Sequence, residues 1–164
     1  MNDSKSISVS SVDGEEKIIW TYDVCGCFVI IIYSENDESK NATLVHLNAL
    51  DFSEENLEDL ISVGQNVGGE DNATILVFAP APGKSTVEEK PSFKNEKILS
   101  DIIRALENKL PNVKINIEPY RAGEEGDKKD NGYVIIRVQP KGQTTYKTWF
   151  SQGQIGTAES TSEK

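Results

Sequence analysis

The sequence predicts an α+β fold: a mixed or mainly antiparallel β-sandwich core with two helices packed on it. Three observations lead there. Short segments rich in Ile, Val and aromatic residues recur along the chain, each of strand length. Only two stretches carry helical periodicity, and a strand-like run separates them. Strands gather at both ends of the order rather than alternating regularly with helices, which argues against a doubly wound parallel sheet.

Taken in order, Lys17–Tyr22 and Cys27–Tyr33 read as strands on either side of a short turn that holds Asp23 and Gly26. The run Phe28–Ile32 is apolar at every position, the pattern of a central strand covered on both faces. Ser34–Asn41 is polar and reads as a hairpin loop, with Thr43–Asn48 as the returning strand. Ser53 is a good N-cap, Glu54 and Glu55 suit a helix's positive first turn, and Leu57, Leu60 and Ile61 share one face. That helix is expected to stop near Gly64 or Gly68-Gly69. Ala73–Ala79 is another strand, followed by a Pro-containing loop over Pro80–Pro91. Lys94–Leu110 is the longest helix, with Ile98, Leu99, Ile102, Leu106 and Leu110 on one stripe and Pro111 closing it. Val113–Glu118, Gly132–Gln139 and Thr144–Phe150 complete the strands, with the charged loop Arg121–Asn131 between the first two. Residues 1–14 and 152–164 are polar and rich in Ser, Glu, Thr and Gly, and both read as loose ends around a single domain over 15–151.

The bulk numbers narrow the function. The 164 residues suffice for one proper core without staples. The net charge of −10 leaves no dense Lys/Arg cluster to displace counterions from a phosphate backbone, so neither nucleic acid nor an anionic membrane is expected as a partner. The longest apolar stretch, Phe28–Tyr33, falls far short of the roughly 20 residues a bilayer needs. No apolar signal segment follows Met1, which points to the cytosol. Cys25 and Cys27 are too close in sequence for a relaxed disulfide, and with one histidine they supply only three zinc-type ligands at the wrong spacing. No metal and no cofactor is expected.

Two residues can carry chemistry. His46 is the only histidine, and imidazole is the commonest general base near neutral pH. By itself it is more simply a satisfied strand residue. Cys27, however, sits where a tight turn enters the apolar strand, just after Gly26, which lets the backbone turn sharply. A thiol there can be half exposed, with backbone N–H groups aimed at a developing oxyanion and an imidazole as the natural activator. Folding Phe28–Tyr33 back on Thr43–Asn48 brings Cys27 and His46 together, provided the register puts both on one face. The alternative for Cys27 is a buried small hydrophobe.

The stretch Val24-Cys25-Gly26-Cys27 resembles the Leu-Ser-Gly-Cys motif of the cytotoxic necrotizing factor and Burkholderia lethal factor deamidases. It is also similar to the Leu-Gly-Ser-Cys turn of the CheD chemoreceptor glutamine deamidases. In these families the cysteine opens a hydrophobic strand and a histidine lies on the next one; here the histidine follows nineteen residues later. Thr21 stands six residues before Cys27, matching the CheD-type threonine that helps orient the histidine. Cys25 stands where the usual serine would be. The resemblance implies attack by Cys27 on a glutamine carboxamide of a protein substrate, loss of ammonia with His46 as general acid, and hydrolysis of the thioester to glutamate. It implies an oxyanion hole in the turn of Cys25 and Gly26, with Thr21 orienting His46. A monomeric bacterial toxin or effector, secreted into a host cytosol, is the corresponding biology. The rival is an acidic α+β interaction module without a nucleophile, for which the charge alone suffices.

Overall fold

Every residue from Phe28 to Ser34 is buried, and this strand is the axis of the fold. The computed structural model describes residues 3–24, 26–48, 53, 55–59, 73–81, 93–121 and 132–156. Cys25, the helix stop expected at Gly64 or Gly68-Gly69, and almost all of the Pro-containing and charged loops lie outside them. Nine strands are described: β1 (Asp3–Ser10), β2 (Lys17–Val24), β3 (Phe28–Glu35), β4 (Ser39–Leu47), β5 (Ala73–Ala81), β6 (Lys114–Arg121), β7 (Gly132–Val138), β8 (Thr144–Thr148) and β9 (Gln152–Ile155). Helix α1 is described over residues 55–59, and α2 runs Phe93–Lys109.

The strands form two sheets, ordered β1-β4-β3-β5-β6 and β2-β7-β8-β9. The first is antiparallel except where β5 and β6, joined across α2, run parallel. Strand alternation divides β3 between two cores. Phe28, Ile30 and Ile32 pack with Leu57 of α1 and Ile98, Ile102 and Leu106 of α2. Val29, Ile31 and Tyr33 face the second sheet and meet Ile19, Val134, Ile136 and Val138. The result is three layers: helices, five strands, four strands. Each fully buried aliphatic or aromatic side chain on β3 contributes roughly 1.5–3 kcal/mol, so the strand's apolar run is what fastens both cores.

The α+β class and the sandwich with two helices hold, and so does the expected N-cap. The Asn56 N–H donates to Ser53 Oγ at 3.2 Å, and the Leu57 N–H to the Ser53 carbonyl at 3.1 Å. Three expectations need correction. Residues 3–10, read as part of a loose end, form β1, which pairs with β4 along its whole length and buries Val9. Residues 152–155, assigned to the loose C-terminal segment, form β9 on β8. The polar segment Ser34–Asn41 is mostly strand; only residues 36–38 turn, held by Asn36 Oδ1, which accepts from the Glu38 and Ser39 N–H groups at 2.8 Å each. In each case backbone pairing outweighs polar composition, because a strand needs a partner edge more than it needs apolar residues on both faces.

β1 and β2 end their respective sheets on the same side of the sandwich. Two lysines bridge them: Lys5 Nζ donates to the Trp20 carbonyl at 2.9 Å and Lys17 Nζ to the Ser8 carbonyl at 2.8 Å. Lysines so placed occupy edge acceptors that would otherwise recruit another strand.

Candidate active site

The chain crosses from the second sheet to the first between Val24 and Cys27, and the described backbone beside the crossing is built for it. β2 shifts register between Thr21 and Val24, the mark of a β-bulge, and Asp23 adopts a positive φ of 59°. Aspartate is among the few non-glycine residues that accept this region. Gly26 follows with φ 76° and has open space where a Cβ would stand, so its glycine answers a conformational need and not a steric one.

Alternation on β2 turns Ile19 and Thr21 inward while Ile18, Trp20 and Tyr22 stay exposed on the outer face. Thr21 is 8% exposed. The β3–β4 hairpin pairs Val29 with His46, and residues directly opposite across antiparallel strands share a face. His46 therefore points with Val29 toward the second sheet. There Thr21 Oγ1 and His46 Nδ1 are 2.7 Å apart, a hydrogen bond that links the two sheets. The half-buried imidazole has its pKa lowered, chiefly by desolvation, with the carboxylates of Asp3 and Asp23 pulling the other way.

Cys27 directly precedes β3 and is half-buried. Continuing the alternation of β3 by one residue puts Cys27 on the face of Val29, diagonal to His46. Diagonal neighbours have backbones about 7–8 Å apart, a gap two inward side chains can close. The site thus brings Thr21 and His46 into direct contact, and the alternation of β3, carried one residue before its start, would turn Cys27 to the same face, with Gly26 just before it. Cys25 lies outside the described residues.

One participant was not read from the sequence. Tyr120, near the end of β6, donates its hydroxyl to the Cys27 carbonyl oxygen at 2.5 Å. The strand was expected to end at Glu118, but β6 runs on past Pro119 to Arg121 beside β5. Proline is tolerated there because β6 is the last strand of its sheet. Trp149 packs edge-on to Tyr120 at 5.1 Å between ring centres, and Phe150 stacks on it at 6.1 Å. A Cβ on Gly132, the partner of Val24, would lie 2.4 Å from the Trp149 ring, so glycine makes room for the indole beside the turn. Trp149 packs against the core between the sheets, while Phe150 is 41% exposed at the rim of this cluster.

No protein-family model matches the chain, and no curated protein matches it. Among the described residues no helix is long and apolar enough to cross a membrane.

Proposed function

We propose that this chain is a cysteine-dependent protein glutamine deamidase, converting a glutamine side chain of a protein substrate to glutamate and ammonia. The single observation that carries this is the 2.7 Å bond between Thr21 Oγ1 and His46 Nδ1, on the face that Cys27 shares. A satisfied structural histidine needs only some partner. Here the partner is the very threonine that the resemblance to CheD-type deamidases implies, reached from the other sheet.

With Nδ1–H donating to Thr21, Nε2 carries the lone pair and is the nitrogen available to a thiol. Burial keeps the ring neutral at neutral pH, as a general base requires. Nε2 takes the Cys27 thiol proton as sulfur attacks the carboxamide carbon, and backbone N–H groups of the turn at Gly26 stabilise the oxyanion. The imidazolium then gives its proton to the departing nitrogen, releasing ammonia and leaving a thioester. Water attacks the thioester with Nε2 as base, the carboxylic acid forms, and the thiol is restored. The net change consumes one water and needs no metal or redox partner. The biological setting that matches is a monomeric bacterial toxin or effector working in a host cytosol.

The test is mass spectrometry of the proteome from cells expressing the wild-type chain or Cys27→Ser. Glutamine-to-glutamate conversion at defined sites is expected with the wild type and not with the variant. Identical proteomes would end the deamidase proposal and favour an acidic interaction module.

A further inference from the structure

We propose that Tyr120 is a positioning residue for Cys27, its hydroxyl holding the Cys27–Phe28 peptide in the orientation that keeps the thiol reactive. This rests on Cys27 being the nucleophile and goes beyond it, because Tyr120 lies 93 residues away in sequence and its hydroxyl bonds the Cys27 backbone.

The chemistry begins with the carbonyl. The Cys27 oxygen is the backbone acceptor closest in bonds to the thiol, and its partial negative charge opposes a thiolate or an oxyanion if it swings toward them. The turn before it has two residues at positive φ, Asp23 and Gly26, and the pairing of β3 with β4 begins only at Phe28. The Tyr120 O–H stops that swing. It occupies the oxygen at 2.5 Å and brings the positive end of a dipole into the neighbourhood. Because a peptide is planar and trans, fixing that C=O also fixes the opposite direction of the Phe28 N–H.

The donor is itself held still. Tyr120 is 2% exposed and is gripped by Trp149 and Phe150. These two rings sit in the turn after β8, which Thr148 and Ser151 lock: the Thr148 N–H donates to the Ser151 carbonyl at 2.8 Å, and the Ser151 N–H to Thr148 Oγ1 at 2.8 Å. The wedge is thus aromatic and tightly turned, and it ends on the backbone of the candidate nucleophile. A buried tyrosine needs some acceptor for its hydroxyl, but a purely structural phenol would not have to choose this one.

The experiment is the pH profile of Cys27 alkylation by iodoacetamide, resolved from Cys25 by fragment mass spectrometry, in the wild type, Tyr120→Phe and Tyr146→Phe. Tyr146 is the control: its ring packs on Phe78 within the same sandwich, and its hydroxyl bonds the Glu118 side chain at 3.0 Å and not the Cys27 backbone. Tyr120→Phe is expected to slow Cys27 alkylation at pH 7 by about tenfold or more and to move the profile's midpoint upward, while Tyr146→Phe leaves both unchanged. An unchanged profile in Tyr120→Phe would overturn the positioning role while leaving Cys27 as nucleophile. Equal slowing in both variants would also overturn it, as general loosening. Sluggish wild-type Cys27, no faster than Cys25, would instead sink the nucleophile and the positioning role with it.

Discussion

Two threonines bridge the sheets of this sandwich, and they do different things. Thr21 reaches from β2 to His46 on β4; Thr144 reaches from β8 to Tyr33 at the far end of β3, donating to its hydroxyl at 2.9 Å. Both are hydroxyl bonds across the same interlayer. At the Tyr33 end everything is sealed: Thr144 is 1% exposed and Tyr33 has no exposure at all. Burial pushes the Tyr33 phenol far above its ordinary range; the Thr144 bond partly opposes this, and the Glu35 carboxylate reinforces it. Such a group holds its proton at any physiological pH. At the His46 end the partner is half-buried, stands beside a turn with two positive-φ residues, and has its pKa lowered, chiefly by burial. On the proposed function the same bond is a rivet in one place and an orienting device in the other, and what separates them is the partner's proton and its access to solvent.

The comparison breaks most visibly at the rivet. Tyr33→Phe leaves Thr144 without its acceptor in a dry site, so stability should fall by about 1–3 kcal/mol, read from urea unfolding. Cys27 alkylation should not change. The alkaline limb adds a second mark. An unfolded tyrosine ionises near 10, whereas folded Tyr33 is held above that, so the wild type loses stability as pH rises beyond 10. The variant should lose less over that range. If Tyr33→Phe slowed Cys27 labelling, the two bridges would be one coupled network and the contrast would fail.

Thr21→Val makes the reciprocal cut. Water can reach the half-buried imidazole, so the stability loss should be smaller, about 0.5–1.5 kcal/mol. Cys27 labelling should slow markedly at neutral pH, since the ring loses what fixes its tautomer and direction. Thr21→Ser, which keeps the hydroxyl, should restore most of the rate. A Val variant that labels as fast as the wild type would reduce Thr21 to a second rivet.

Much of this was legible in the chain, and what was hidden was hidden for physical reasons. The unbroken apolar run of β3 announced a strand covered on both faces, and the 3.6-residue stripe of α2 announced a helix on it. Thr21, Cys27 and His46 could be named because turn, strand and sole imidazole fall in a recognisable order. β1 escaped because Ile7 and Val9 alternate with serines, a composition shared with loose termini; its partner strand β4 is what decides the matter. Tyr120 escaped because β6 lies at a sheet edge, the residues before it on its own face, Lys114, Asn116 and Glu118, are polar, and Pro119 reads as the end of the strand. A contact between residues 27 and 120 has no sequence signal at all; it arises only when β5 sets β6 two strands from β3 in the first sheet.

The smallest expected effect sharpens the comparison at acid pH. His46 has its folded pKa below the ordinary 6.5, so the unfolded chain binds the extra proton first as pH falls. The stability this group contributes is fully present above 6.5 and drains away as pH drops toward its folded value. His46→Gln removes that proton site while keeping a polar side chain. From pH 7 down to pH 5 the wild-type melting temperature should fall more steeply than that of His46→Gln, with the carboxylates common to both proteins cancelling in the difference. Tyr33→Phe should leave this acid slope as it is in the wild type, because the phenol does not titrate there. Parallel melting curves for the wild type and His46→Gln would mean that burial does not disfavour the imidazolium, and the chemical character assigned to the Thr21 bridge would lose its electrostatic basis.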